Sequence, residues 1–210
     1  MKFLFIFLSS LLSLSVHAAI LTNSGSKGKI EGVALSSEST TSVENESTKL
    51  SQVGAGLLAK KVAFFNVDVY VAEFFVSSAE KFKKADALNS LKDQKAVAVQ
   101  LHFLRDVEAE KVQTSFKEAL QANNVKLDDN SIKQFLEAVS QGGEAKKGKI
   151  LTILGAKLKD NNEEISYENT SGKVTTIKGS ADFIKNIFSI WLGTPADDGI
   201  ARLKKSVLAE

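Results

Sequence analysis

Residues 53–75 read VGAGLLAKKVAFFNVDVYVAEFF and form the most informative segment of the chain. The segment is rich in β-branched and aromatic side chains, contains no proline, and opens on a Gly-Ala-Gly at positions 54–56. Two such apolar runs around a short polar segment are typical of paired strands. We therefore predict a long β-hairpin, with Lys60 and Lys61 at its polar tip.

Beyond this hairpin, the chain groups its strands and helices without strict alternation. After Asp106 the apolar spacing changes from two residues to 3.6, which places Val112 and Phe116 on one face of a helix. Groups of antiparallel strands interrupted by helices favour an α+β fold, with the helices on one face of a large antiparallel sheet. Further strands are predicted at residues 29–35, 95–104, 148–158, 163–169 and 172–179, and helices after residues 106, 129, 180 and 196.

The N-terminus has the pattern of a signal peptide. Lys2 precedes the apolar run FLFIFLSSLLSLSV, and Val16-His17-Ala18 is a small-residue cleavage site. Because the apolar run is too short to span a bilayer comfortably, we predict that residues 1–19 are removed. The mature protein is then periplasmic or secreted, begins near Ala19 or Ile20, and keeps no integral membrane segment.

The segment between the signal peptide and the hairpin is predicted as a strand followed by a flexible loop, over residues 20–49. Its second part, residues 36–49, reads SSESTTSVENESTK and offers few apolar side chains to bury. The folded domain is predicted over residues 50–210.

The composition excludes several kinds of chemistry. The chain has no cysteine, and His102 is the single histidine left after cleavage, so histidine-cysteine zinc sites are excluded. His102 lies in the predicted strand at 95–104 and is interpreted as an outward or cleft-facing side chain, because no nucleophile motif accompanies it. Gly54-Ala55-Gly56 leads into a strand and does not form a phosphate-binding loop. We expect no metal site, no cofactor and, with 27 basic against 25 acidic residues, no nucleic-acid partner.

Four separate pieces of the sequence resemble the chalcone isomerase-like family, and in particular its exported bacterial branch. They are VGAGLLAKKVAFFNVDVYV, LHFLRDVEAEKV, ISYENTSGKVTTIKG and IWLGTPADDGIARLK, which occur in the family's order across residues 50–208. The resemblance implies an open-faced β-sandwich, in which a large antiparallel sheet is covered by a layer of helices. It also implies a cleft between the hairpin and the helices.

In the isomerases of this family, the cleft cyclises a chalcone to a flavanone, and the resemblance locates the catalytic positions. The arginine falls at Leu58, and the threonine of the second hairpin strand falls at Phe65. The tyrosine falls at Glu108 and the asparagine at Ser115, so that only the lysine, Lys111, is retained. A donor at such a position normally lowers the activation barrier by about 3 kcal/mol, and this contribution is lost with each replaced residue. The carboxylate of Glu108 would also repel the phenolate. Flavanone formation is therefore not expected.

The family also includes proteins that bind fatty acids, in which an apolar slot takes the acyl chain and cations at its opening take the carboxylate. The predicted ligand-binding residues combine the family positions with charges near the helix start and the aromatic face of the helix after residue 180. An ordinary i,i+3 surface pair is the alternative interpretation of Glu108 and Lys111, and core packing is the alternative for Phe188 and Trp191. The predicted set is Leu58, Phe65, Arg105, Glu108, Lys111, Val112, Ser115, Phe188 and Trp191.

Three functional hypotheses follow from the sequence. The first is a noncatalytic protein that binds a small amphipathic or lipid ligand, such as a fatty acid. The second is an isomerase or intramolecular lyase acting on another substrate through Lys111 and Glu108, which a closed cleft around these residues would favour. The third is a protein-docking module, which would have an exposed apolar patch and no enclosed pocket.

Overall fold

The structure is a computed structural model that describes residues 19–209, without the side chain of Val62. Apart from Ala19, the predicted signal peptide lies outside the described residues. The strands are β1 (Thr22–Ser24), β2 (Lys29–Ile30), β3 (Val33–Ala34), β4 (Glu38–Val43), β5 (Glu46–Val62), β6 (Phe65–Val76), β7 (Ala96–Phe103), β8 (Ile150–Lys157), β9 (Glu163–Glu168) and β10 (Val174–Gly179). The helices are α1 (Ala87–Ser90), α2 (Ala109–Ala122), α3 (Asn130–Gln141), α4 (Phe183–Leu192) and α5 (Asp198–Leu208).

Eight of these strands form one antiparallel sheet, in the order β1-β4-β5-β6-β7-β8-β9-β10, and β2 pairs with β3 in a small separate sheet. Every pairing is antiparallel. The helices pack on one face of the large sheet and enclose the main core against it. The predicted α+β class and the open-faced β-sandwich are confirmed.

The β5–β6 hairpin lies near the middle of the sheet and contains its two longest strands. Leu58 pairs with Tyr70 and Ala59 pairs with Asp68, so Val69 is an extra residue in β6 at this point. Such a β-bulge changes the direction in which the neighbouring side chains point. It brings both Val69 and Tyr70 to the helix-covered side of the sheet.

The hairpin turn is formed by residues 63–64, two residues beyond the predicted polar tip. Lys60 pairs with Val67 inside the ladder, and Lys61 pairs with Asn66. The prediction that the lysines form the tip was wrong, because the strands continue past them and an Ala-Phe pair makes the turn.

The Gly-Ala-Gly segment allows helix α5 to lie directly on β5. A Cβ atom at Gly54 would overlap the carbonyl oxygen of Val207, and one at Gly56 would lie 2.9 Å from the Cδ1 atom of Leu203. Glycine is therefore required for the close approach of helix and strand.

Strand β7 shows how the period of two divides the sheet into two faces. Val99, Leu101 and Phe103 enter the core beneath the helices. Gln100 and His102 alternate with them and lie on the outer face. His102 Nε2 is 2.8 Å from Oε2 of the buried Glu73, so this histidine lies on the face away from the helices.

Within residues 36–49, Glu38–Val43 form β4 and β5 begins at Glu46, so the predicted flexible loop is wrong. Every second residue of β4 is buried, namely Ser39, Thr41 and Val43. This is the alternation of a strand, although two of the three side chains are polar. Thr41 Oγ1 donates a hydrogen bond of 2.8 Å to the carbonyl of Ile20. Hydroxyl groups paired in this way can be buried at little cost.

Candidate ligand-binding site

A cavity of about 290 Å³ lies between the β5–β6 hairpin, the end of β7 and helix α2. Helices α4 and α5 contribute one side chain each. Its volume is near the lower end of the range for ligand pockets, roughly 300–1,000 Å³. The lining residues are Leu58, Lys60, Val67, Val69, Tyr70, Leu101, Phe103, Arg105, Asp106, Val107, Glu108, Lys111, Val112, Ser115, Phe116, Glu144, Ile190 and Ile200.

The floor of the cavity is apolar and belongs to the main core. Leu101 and Phe103 come from β7, Phe116 from α2 and Ile190 from α4, and all four are buried. Leu58 is 2% exposed and forms part of the wall. This surface can accept an alkyl chain or a ring, and each methylene it buries contributes about 0.8 kcal/mol.

The rim of the cavity carries both signs of charge. The cationic side chains are Lys60, Arg105 and Lys111, and the anionic ones are Asp106, Glu108 and Glu144. Arg105 is exposed at the end of β7. An apolar floor beneath a charged rim suits a molecule with one apolar part and one polar part.

Lys60 is the cation that the fold holds in place most firmly. Its Nζ atom is 2.9 Å from Oδ2 of Asp197 and 3.5 Å from Oγ of Ser115. Asp197 also caps α5, because its Oδ1 accepts a hydrogen bond of 2.9 Å from the backbone N–H of Ile200. An ammonium group has three protons to donate, so Lys60 can bind a ligand oxygen without releasing Asp197.

The carboxyl of Asp197 is charged in this arrangement. Partial burial alone would raise its pKa, but the hydrogen bonds from Lys60 and from the Ile200 N–H outweigh burial and hold the pKa below its ordinary value. The ion pair therefore persists at neutral pH and fixes the Lys60 side chain beside the cavity.

Tyr70 supplies a neutral polar group in the cavity wall. Its hydroxyl oxygen accepts a hydrogen bond of 3.0 Å from Nε1 of Trp191. Burial raises the pKa of the Tyr70 phenol well above its ordinary value, so the group keeps its proton. Among the described residues that proton has no acceptor, and Tyr70 is 5% exposed. The phenol can therefore donate to an oxygen of a bound molecule.

Six of the nine predicted ligand-binding residues line this cavity: Leu58, Arg105, Glu108, Lys111, Val112 and Ser115. Phe65 does not line it, because it lies at the end of the hairpin with its side chain 75% exposed. Phe188 and Trp191 do not line it either, because both are fully buried in the core and α4 presents Ile190 to the cavity instead.

Glu108 and Lys111 lie beside each other at the start of α2. Glu108 Oε1 and Lys111 Nζ are 3.2 Å apart, and both side chains are mostly exposed. This is the surface i,i+3 pair of the alternative interpretation, and such pairs contribute little to stability. The two residues stand at the rim of the cavity.

Lys60 and Tyr70 are two of the cavity residues that the sequence prediction missed. Alternation along β5 could have identified Lys60, because it lies two residues after Leu58 and hence on the same face of the strand. No such signal identifies Tyr70 in the sequence. The bulge at Val69 determines the side of the sheet on which the Tyr70 side chain lies, and the alternation of apolar and polar residues does not reveal a bulge.

Among the described residues, no helix has both the length and the apolarity needed to cross a membrane. The same residues contain no cluster of acidic, histidine or cysteine side chains that could hold a metal ion.

Comparisons with known proteins connect this fold to others. A family model described as chalcone isomerase-like matches residues 27–209. Among solved structures, that of a fatty-acid binding protein from Arabidopsis thaliana is similar, with a TM-score of 0.58 and 16% sequence identity. The similarity covers 88% of this chain and 96% of that chain. No curated protein matches significantly. At this identity, the structural similarity shows a shared fold.

Proposed function

This chain belongs to the chalcone isomerase-like family, and we propose that it binds a small amphipathic acid, such as a medium-chain fatty acid, without catalysing a reaction on it. The observation that carries the proposal is the cavity described above, with an apolar floor and with Lys60 fixed beside it. The similar Arabidopsis protein is described as fatty-acid binding, which supports the proposal.

The proposed binding mode places the alkyl chain on the floor and the carboxylate at the lysine. Lys60 donates a charge-assisted hydrogen bond to the carboxylate, and such bonds are roughly twice as strong as neutral ones. Tyr70 offers a second donor from the wall. Burial of the chain on Leu101, Phe103 and Phe116 supplies the apolar part of the affinity. The cavity volume of about 290 Å³ favours a chain of moderate length.

The proposed absence of catalysis is supported by the residue at the family's arginine position. Leu58 is buried there and cannot stabilise a phenolate. Lys60 lies two residues further along the same strand face, paired with Asp197 at 2.9 Å, and so does not occupy the arginine position. The family's arginine and tyrosine positions hold Leu58 and Glu108, which donate no side-chain hydrogen bond, and each donor lost in this way forfeits a barrier reduction of about 3 kcal/mol.

Native mass spectrometry of the purified protein tests the proposal. We expect a co-purifying acid, or after its removal the binding of one decanoic acid molecule per chain. A protein that carries no ligand and takes up no decanoic acid would refute it. Efficient conversion of a chalcone to a flavanone would refute the noncatalytic part separately.

We also propose that the chain is exported, as the exported bacterial branch of the family would be. The supporting observation is the signal-peptide pattern of residues 1–19. The intact mass of the protein recovered from a periplasmic extract or from the medium should correspond to a chain that begins near Ala19 or Ile20. Recovery of the full-length chain only from the cytoplasm would contradict export.

A further inference from the structure

The tip of the β5–β6 hairpin exposes two adjacent phenylalanines. The side chain of Phe64 is 93% exposed and that of Phe65 is 75% exposed. The next most exposed large apolar side chain among the described residues is Ile150, at 37%. Single exposed apolar residues are common on protein surfaces, but here two consecutive phenylalanines are exposed at the end of a long hairpin.

The turn that carries these rings is an unusual one for a two-residue hairpin. Such turns prefer asparagine and glycine, because they require positive φ angles. Here Ala63 has φ of +52° and is followed by Phe64. An L-residue in this region costs about 1 kcal/mol. The backbone is therefore strained at Ala63, and the next residue, Phe64, exposes its aromatic side chain to solvent.

An apolar stripe connects the tip with the cavity. Side chains two apart on a strand share a face, so Phe65, Val67 and Val69 lie on one side of β6. Val67 and Val69 line the cavity. Phe65 extends the same apolar surface from the cavity to the end of the hairpin.

Two lysines stand directly behind the aromatic tip on the other strand. Lys61 is exposed, and Lys60 lies at the cavity with Asp197. Aromatic rings with an exposed lysine a few residues away, as Lys61 is from Phe64, match the interface of a bilayer, where rings lie at the headgroup level and lysines meet the phosphates. A hairpin tip that ends in two exposed aromatic rings also suits a fluid surface, which can deform around it.

We propose that Phe64 and Phe65 insert into the interface of a phospholipid bilayer and orient the opening of the cavity toward the membrane. The hairpin then provides a path by which an amphipathic ligand passes between bilayer and cavity. This path rests on the proposed ligand-binding function, whereas the docking itself requires no ligand.

Co-sedimentation with vesicles of phosphatidylethanolamine and phosphatidylglycerol tests the docking. We expect the wild-type protein to bind and the Phe64→Ser/Phe65→Ser variant to lose about tenfold or more in partition coefficient, because two aromatic side chains no longer leave water. The matched control is Ile150→Ser, which removes an exposed apolar side chain on the outer face of the sheet and should bind as the wild type does. Absence of wild-type binding, or equal loss in both variants, would overturn the proposal.

A second measurement separates insertion from surface adhesion and from the ligand-binding function. Tryptophan fluorescence of Phe64→Trp should be quenched by brominated lipids, whereas that of Ile150→Trp should not; equal quenching of the two would overturn insertion. In vesicle-free buffer the double serine variant should bind decanoic acid as the wild type does. If neither protein binds decanoic acid there, the ligand-binding function fails while the vesicle assay still decides the docking.

Discussion

The Nε1 atom of Trp191 donates a hydrogen bond of 3.0 Å to the hydroxyl oxygen of Tyr70. Trp191 lies in the core and Tyr70 in the wall of the cavity, so this bond connects the packing of α4 with the polar surface offered to a ligand. This bond satisfies the indole donor, and the phenol proton has no acceptor among the described residues.

Tyr70→Phe should destabilise the protein by about 1–3 kcal/mol, because the indole N–H of Trp191 is left buried without an acceptor. Urea unfolding measures this change. Tyr167→Phe is the control: this other buried tyrosine accepts no hydrogen bond from the described residues, so its loss should cost less. Equal stability of Tyr70→Phe and the wild type would contradict the assignment of the bond.

Lys60→Met should weaken decanoic acid binding about tenfold, since a charge-assisted hydrogen bond to the carboxylate is lost. Lys61→Met changes the neighbouring residue in the same way, but Lys61 is exposed and does not line the cavity. Titration calorimetry should therefore find wild-type affinity for Lys61→Met. Similar affinities of the two variants would show that Lys60 does not bind the carboxylate.

The protein should lose stability above about pH 10. Burial raises the pKa values of both tyrosines, Tyr70 and Tyr167, above the ordinary value of 10.0. The unfolded chain then releases tyrosine protons before the folded protein does, so the stabilisation is complete below pH 10 and declines above it. Each tyrosine contributes a slope of about 1.4 kcal/mol per pH unit.

Absorbance at 295 nm during an alkaline titration checks this expectation. Tyrosinate should appear together with the loss of circular dichroism, in a single transition. Tyrosinate formation near pH 10 in a protein that stays folded would show that the phenols are accessible to water.

Gly54→Ala should destabilise the protein by about 3 kcal/mol or more, because the added methyl overlaps the backbone carbonyl of Val207. Gly56→Ala should cost less, since the nearest atoms there, Cδ1 of Leu203 and Cβ of Ser206, lie 2.9 Å from the added methyl, whereas the Val207 oxygen lies much closer to a methyl at position 54. Thermal unfolding orders the two variants. A smaller effect at Gly54 than at Gly56 would contradict the packing of α5 on β5.

The hairpin, the faces of β7 and the α+β class were predictable because alternation and composition report burial directly. The strand at 38–43 was not predictable, because a segment rich in serine and threonine is also typical of a loop. Only the structure shows which groups accept hydrogen bonds from the hydroxyls. Phe188 and Trp191 could not be assigned for a different reason. An apolar helix face predicts that the side chains are buried, but it does not tell whether they pack in the core or line a cavity. The direction of Tyr70 depends on a bulge, which leaves no periodic signal.

Two substitutions on α2 form a matched pair that tests whether the cavity binds the ligand. Ser115 lines the cavity, whereas the adjacent Thr114 is exposed to solvent. Phenylalanine at position 115 would fill much of the cavity without removing a core side chain. Phenylalanine at position 114 would add the same ring to the surface of the same helix.

Titration calorimetry with decanoic acid on the wild type, Ser115→Phe and Thr114→Phe is the most direct test that the cavity binds an amphipathic acid. We predict that the wild type and Thr114→Phe bind one molecule per chain with similar affinity, and that Ser115→Phe binds at least about tenfold more weakly, because it loses the buried apolar contact. No binding by the wild type, or equal binding by the two variants, would contradict the claim.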